Sequence, residues 1–226
     1  MHTGPKLITD GLIFAVDPAA DNRGAYMQDI VNNSNVTTGG SPGTSTEGIK
    51  TVTFDGNSEN YHYGSDNVVR NLDDVTIMGW VKQASTSYPH QTVFCTSIAY
   101  RHGIKLMSRY HGQWSAWIGT GGSSDYLAGS GHNITGDGNF YLICCTRRAN
   151  TGHISLYEDG VHMVTKTDVN ITGTLTESGV TGYGFDYHSG GYYHDGNLGQ
   201  VWVWNKVLSA DEIQVMYNAT ETRYKN

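Results

Sequence analysis

The sequence predicts an all-β fold, an antiparallel two-sheet sandwich with one short C-terminal helix. Its 226 residues include 29 Gly and 15 Tyr but only 4 Pro, a balance that suits many short strands joined by tight turns. Apolar and alternating runs bounded by turn residues recur from end to end, and one helix signal stands near the C-terminus. Hydrophobic residues make up 38%, enough for one core, so we predict a single domain over residues 1–226 with its core at about 8–220.

Strands are predicted wherever β-branched and aromatic residues cluster between turn residues. These runs cover residues 11–17, 49–55, 75–81, 92–98, 103–107, 114–118, 140–146, 153–157, 161–165 and 198–204. In the last run, the two valines fall on one face of the strand and the two tryptophans on the other. The stretch 32–48 is rich in Asn, Ser, Thr and Gly, and it is predicted to be a long surface loop.

Asp159-Gly160 gives the clearest local signal, because it lies between two alternating runs. Asp-Gly favours a two-residue hairpin turn, since both positions then need a positive φ. A capping box marks the predicted helix at 209–219, with Ser209 as N-cap and Glu212 at the third helical position. Leu208 and Ile213 flank the cap at the spacing of a hydrophobic staple.

The net charge of −7 argues against nucleic acid or an anionic membrane as partner. The first residues lack a signal-peptide pattern, and no apolar run approaches the ~20 residues of a membrane span. We therefore expect a protein made and kept in a cytosol, or released by a route that needs no signal. Cys95, Cys144 and Cys145 are predicted to be buried free thiols.

Four stretches resemble laminin G-like domains of the concanavalin A-like jelly-roll kind. They cover residues 52–56 with Tyr61, 75–81, 154–160 and 197–213, and the last is long and specific. The resemblance implies a jelly-roll sandwich across nearly the whole chain. The opening run 8–12 is similar in form to structural proteins of large tailed phages and marine viruses.

Catalysis is not predicted, because jelly-roll glucanases need carboxylates that alternate along one strand. The adjacent pairs Glu158-Asp159 and Asp73-Asp74 instead fall at a hairpin tip and before a strand. Ten histidines are scattered without a metal-binding spacing, so we predict neither catalytic nor metal-ligating residues and no cofactor.

Calcium is a weaker alternative, since laminin G-like domains often hold this ion at one rim. Oxygen ligands could come from Asp17, Asp21, Asn22, Asp186 and Asp195. Asp and Asn are also good turn formers, and no spacing among them selects an ion.

Two aromatic clusters are candidates for carbohydrate binding. The segment 182–196 places five aromatic residues among glycines, and the segment 110–117 holds a second cluster with Trp117. Flat rings stack on sugars, and polar groups form hydrogen bonds with the sugar hydroxyls. The alternative is that the same rings pack in the core. The candidate residues are Tyr183, Tyr187, His188, Tyr110, His111 and Trp114.

The resemblance, the low charge and the free cysteines together predict a non-enzymatic virion structural protein, such as a capsid decoration, fibre or tail accessory subunit. Its partners would be other virion proteins and itself, with a trimer expected and weak adhesion to host glycans as an added role. A carbohydrate-binding lectin or adhesion module is the alternative, and a glycan-cleaving jelly-roll enzyme is the third. Fold alone does not choose among these classes.

Overall fold

A computed structural model of the chain describes residues 6–20, 26–39, 43–45, 49–57, 61–64, 67–84, 90–96, 102–109, 113–120, 124–128, 137–176, 181–184 and 192–225. Within these residues the chain forms sixteen strands, one α-helix and three short 3-10 helices. Helix α1 spans Ala210–Thr220, and the 3-10 helices span Ala149–Thr151, Val169–Ile171 and Glu221–Arg223.

The strands form two antiparallel sheets, as the sequence predicts. The first sheet contains β1 Leu12–Val16, β4 Gly43–Ser45, β5 Thr51–Asp55, β7 Val75–Gln83, β12 Tyr141–Arg148, β13 His153–Glu158, β14 Val161–Thr167 and β16 Asp195–Trp204. The second sheet contains β2 Tyr26–Asp29, β3 Ser34–Gly39, β6 Tyr61–Gly64, β8 His90–Cys95, β9 His102–Arg109, β10 Gln113–Thr120, β11 Ser124–Ala128 and β15 Thr181–Tyr183.

Strand order explains how the layers stack. The first sheet runs β14-β13-β12-β7-β16-β1, with β5 also pairing β16 and β4 pairing β5. The second runs β11-β10-β9-β8-β15-β6-β3-β2, and the pair Val16↔Asp29 joins the two at one edge. This is the jelly-roll sandwich of the concanavalin A-like fold.

The main core lies between the sheets. The four residues predicted to lie in it, Phe54, Ile77, Val201 and Val203, are each at most 2% exposed. They join one apolar cluster with residues of the second sheet, among them Phe94, Ile104, Leu106 and Ile118.

The first sheet is buried on its outer face as well, where the predicted tryptophans of β16 form a second cluster with α1. Trp80 stacks there on Tyr224 and Tyr217, with ring centroids 4.7 and 5.9 Å apart. Its indole Nε1 also donates a hydrogen bond to Thr220 Oγ1 at 2.9 Å. The helix was expected to pack at one end of the sandwich, but it lies on the outer face of the first sheet. The reason is that β7, β12 and β16 carry apolar side chains on both of their faces.

The capping box is confirmed. Ser209 Oγ accepts from Glu212 N at 3.1 Å, and Glu212 Oε2 accepts from Ser209 N at 2.8 Å. Leu208 and Ile213 are both buried in the second cluster, as a hydrophobic staple requires.

The Asp159-Gly160 turn is confirmed too, with φ of 51° and 82°. Asp159 also closes the start of β12, since its Oδ1 accepts from Leu142 N at 2.9 Å and its backbone N donates to Leu142 O at 2.8 Å.

The stretch 32–48 is not one long loop as predicted, because β3 and β4 lie there, although residues 32–35, 43 and 44 are at the surface. Val36, an isolated apolar residue in that stretch, is only 3% exposed and joins the main core. Pairing through the backbone makes strands of these polar residues without an apolar pattern.

The three cysteines are free and buried. Cys144 and Cys145 lie on opposite faces of β12, one in each apolar cluster. Burial raises the pKa of Cys145 to about 12, so this thiol is a packing group. In the described part of the chain, no helix is long and apolar enough to span a membrane.

Candidate functional site

Two predicted sugar-binding residues lie in the core. Tyr183 is 1% exposed, its ring lies 5.9 Å from that of Phe54, and its hydroxyl donates to Gly199 O at 2.6 Å. Trp114 is 4% exposed and belongs to the main cluster. Both side chains are therefore placed as the core interpretation of these clusters expects.

The other predicted sugar-binding residues lie outside the described part of the chain. They are Tyr110, His111, Tyr187 and His188.

Trp117, three residues after Trp114, faces the opposite way. Trp114, Ala116 and Ile118 point into the core, so β-strand alternation turns Trp117 to the outer face of the second sheet. Its side chain is only partly buried. The two tryptophans of this cluster thus lie on opposite faces of β10.

The register of β8, β9 and β10 defines this outer face. Cys95, Lys105 and Trp117 stand opposite one another in one row. Thr92, Met107 and Ser115 form the next row, and His90, Arg109 and Gln113 form the third. We call the described side chains of this set, without Arg109, the second-sheet outer face.

A lysine and a tryptophan occupy the first row of the second-sheet outer face. Lys105 is 3% exposed, and its ammonium lies 4.9 Å from the centroid of the Trp117 ring. This is a cation–π contact, which is strengthened where water is excluded. The floor beside it is mixed, because the polar Thr92 and Ser115 and the apolar Met107 of the next row are all buried.

The third row meets a further ring. His90 and Tyr192 have ring centroids 4.4 Å apart, and Thr92 N donates to Tyr192 O at 3.3 Å. Tyr192 and Tyr193 are only partly buried, and the next residue, His194, is buried at 1% exposure.

Partly buried rings therefore border a floor of buried polar and apolar side chains. The exposed parts of the Trp117 and Tyr192 rings suit a polyhydroxylated ligand, since aromatic rings cover the apolar C–H face of a sugar. Sequence reasoning noted Trp117 but missed Lys105, although its place between Ile104 and Leu106 in an apolar run predicts the opposite face.

The described carboxylates proposed for calcium or considered for catalysis have protein partners. Asp17 Oδ2 accepts from Gln200 Nε2 at 2.8 Å and from Arg223 Nη2 at 3.1 Å. Asp74 Oδ1 accepts from Ala149 N at 3.0 Å, and Asp73 Oδ1 from Thr174 Oγ1 at 2.6 Å.

Among the residues with described positions, no three His, Cys, Asp or Glu side chains come together as a metal site would require. Of the other calcium candidates, Asp195 begins β16, where its backbone N donates to Gln91 Oε1 at 3.0 Å, and Asp21, Asn22 and Asp186 lie outside the described residues.

Comparison with known sequences gives one match. The profile of the family described as the concanavalin A-like lectin/glucanases superfamily matches residues 54–214. No protein with a curated function matches the sequence significantly.

Solved structures with the same fold include binding domains of toxins and a domain of an arabinanase. The binding domain of Paraclostridial Mosquitocidal Protein 1 has a TM-score of 0.75 at 15% identity, over 93% of this chain and 52% of that one. The binding domain of botulinum neurotoxin DC in complex with SialylT has a TM-score of 0.71 at 13% identity, over 93% and 52%. This chain thus spans about half the length of these toxin domains.

A third structure matches end to end. Domain 4 of a GH43 extracellular arabinanase from Geobacillus stearothermophilus, in complex with arabinotriose, has a TM-score of 0.69 at 17% identity, over 92% of this chain and 98% of that one. At these identities the likeness shows a shared fold.

Proposed function

Because the chain belongs to the concanavalin A-like lectin/glucanase superfamily, we propose that it is a non-enzymatic glycan-binding module whose site is the second-sheet outer face. The observation that carries the proposal is the partly buried Trp117 ring, which packs against the buried Lys105 ammonium on this face. The ring offers a flat stacking surface, and the cation holds it in place from one side.

Two comparisons support binding to a glycan over the other predicted functions. The arabinanase domain, which this chain matches over 98% of that domain's length, is solved with arabinotriose. The neurotoxin binding domain is solved with SialylT. Both domains share the fold of this chain.

The composition of the face supports the absence of glycosidase chemistry. Strands β8, β9 and β10 contain neither Asp nor Glu. Glycosidases usually need two carboxylates that flank the bond to be cleaved. A face without them holds a sugar but offers no acid and nucleophile.

The virion role and the virion location predicted from the sequence stay predictions. The neighbours described above are toxin and arabinanase domains, which favour the lectin alternative. Detection of the chain at stoichiometric copy number in purified particles would support attachment to a virion.

Trp117→Ala tests the proposed site. The intact protein should retain at least one class of oligosaccharide on a glycan array. The variant should bind that oligosaccharide at least about tenfold more weakly by calorimetry, about 1.4 kcal/mol, because the stacking surface is gone.

Two matched variants make the result specific. Trp117→Phe keeps a ring and should restore most of the affinity, whereas Tyr157→Ala removes a partly buried ring from the first sheet and should leave the affinity unchanged. Equal binding by intact protein and Trp117→Ala would rule out this face as the site. No retention on any array would contradict the glycan-binding function itself.

A further inference from the structure

A cleft opens on the first-sheet side of the molecule, away from the second-sheet outer face. Its volume is about 370 Å³, which lies within the range of about 300–1,000 Å³ that small-ligand sites have. Phe140 and Tyr224 in its wall belong to the second apolar cluster, on the outer face of the first sheet. We call it the Phe140 cleft, and it is lined by Gly138, Asn139, Phe140, Tyr141, Tyr224 and Lys225.

Contacts within the protein hold the aromatic walls of the Phe140 cleft in place. The Tyr224 ring lies 5.3 Å from the Phe140 ring, and the Tyr224 hydroxyl accepts from Gln200 N at 2.9 Å. The Tyr141 hydroxyl donates to Asp137 Oδ2. These rings are ordered without a ligand, so a ligand that enters the cleft does not bear the cost of ordering them.

The charged groups at the wall of the Phe140 cleft are engaged with the protein. Lys225 forms an ion pair with Asp159, and its ammonium lies 5.1 Å from the centroid of the Tyr141 ring. Asp137, which accepts from the Tyr141 hydroxyl, also accepts from Asn139 N through Oδ1 at 2.9 Å. A ligand therefore meets mainly neutral groups in this cleft.

Backbone groups are the main hydrogen-bonding groups left for a ligand. In the part of the chain that the structure describes, the backbone N–H and C=O groups of Gly138 and Phe140 form no hydrogen bond with another residue. The mouth is open at Gly138, because a Cβ atom added there would contact nothing within 4 Å. Hydroxyl groups both donate and accept, so a saccharide matches this mixture of donors and acceptors.

We propose that the Phe140 cleft is a second glycan site, which binds one or two sugar units through the backbone groups of residues 138–140. The partly buried Phe140 ring supplies an apolar wall for the C–H groups of the sugar. This proposal rests on the glycan-binding function but not on the second-sheet outer face. Because the two sites lie on opposite sheets, one copy of the protein holds two separate glycan chains and cross-links them.

The experiment uses the full chain without a tag, since Lys225 lines the cleft, and compares it with Trp117→Ala, which lacks the stacking ring of the other site. Methyl glycosides and disaccharides of arabinose, galactose, glucose and mannose are titrated while two-dimensional NMR spectra of the backbone amides are recorded. We expect at least one of them to shift the amide signals of residues 138–140 in both proteins, with a Kd of about 1 mM. The amides of Ile104 and Ile118, in the second sheet, should not shift in Trp117→Ala.

Asn139→Trp blocks the Phe140 cleft from an exposed position at its mouth. Added to Trp117→Ala, it should weaken the remaining binding at least about tenfold. Asn170→Trp makes the same change at an exposed asparagine of the second 3-10 helix and should leave that binding unchanged. Thermal unfolding checks that each variant folds, and the amide shifts of the intact protein need no variant.

The outcomes separate the Phe140 cleft from the proposed function. If no sugar shifts the amides of residues 138–140, or if folded Asn139→Trp binds as tightly as its parent, the second site is overturned. The glycan-binding function stands in that case if the intact protein still binds a glycan that Trp117→Ala binds more weakly. Failure of every glycan to bind the intact protein overturns both.

Discussion

His194 is a buried imidazole between the sheets. It is 1% exposed and its ring lies 6.0 Å from the Phe54 ring. Burial lowers the pKa of His194 to about 4, because the imidazolium loses its hydration, and backbone contacts with Lys82 and Asn197 offset only part of this effect. The fold therefore favours the neutral ring.

This lowered pKa predicts acid sensitivity with a definite sign. An unfolded histidine gains its proton near pH 6.5, whereas folded His194 gains it near pH 4, so protons favour the unfolded chain between those values. Stability present above pH 6.5 should be lost as pH falls towards 4, by up to about 3 kcal/mol from this group.

Urea unfolding at pH 7 and pH 4.5 measures the effect, and His194→Gln is the matched variant. Carboxylates also weaken the fold in acid, but His194→Gln should remove only the part that belongs to the imidazole. Parallel pH profiles for the two proteins would show that His194 does not titrate between these values.

For single residues, the sequence predicted which face of a strand a side chain occupies but not which groups it contacts. Alternation separates Trp114 from Trp117 and Cys144 from Cys145. It does not predict that Arg147 is fully buried, with Nη2 donating to Ile171 O at 2.9 Å. That burial depends on carbonyl groups of a distant segment, which no local pattern encodes.

Helix α1 joins the sheet through its first turn. Lys206, just before the helix, lies 2.8 Å from Asp10 Oδ2 and 3.1 Å from Glu212 Oε1, so the cap also ties the N-terminal segment to the helix. Both pairs are partly exposed, so their ion pairing contributes little by itself. The cap hydrogen bonds carry the stability of this end.

Ser209→Ala should therefore lower the free energy of unfolding by about 1 kcal/mol, because the amide of Glu212 loses its acceptor. Ser209→Asp keeps an acceptor oxygen at the N-cap and should retain most of the stability. Chemical denaturation of the intact protein and the two variants gives the difference. Equal midpoints for the intact protein and Ser209→Ala would mean that water replaces the cap without cost.

Elements with a strong apolar signature were predicted, and polar ones were missed. Strands such as β7, β12 and β16 contain runs of large apolar residues. Strand β3 has Val36 as its one large apolar residue, β6 consists of Tyr, His and Gly, and β15 has three residues. Their neighbours in the sheet are distant in sequence, so only the folded topology defines them and the site that they border.

Self-association stays a prediction for the whole molecule. Charged residues make up only 15% of the sequence, and β14 at the end of the strand order leaves Val161 63% exposed. Low charge and a strand edge both favour contacts between copies. Light scattering at micromolar concentration should give the mass of a trimer, and a strict monomer would contradict the expectation.

The position of the two ends of the described chain determines from which side the protein can be immobilised. Ile8 O accepts from Trp204 Nε1 at 3.0 Å, and Lys225 forms an ion pair with Asp159, so both ends lie against the first sheet. The second-sheet outer face points the other way. A tag joined to these two segments therefore starts on the first-sheet side. Beads or sensor chips coupled through it should leave the second-sheet outer face unobstructed, which random amine coupling would not ensure.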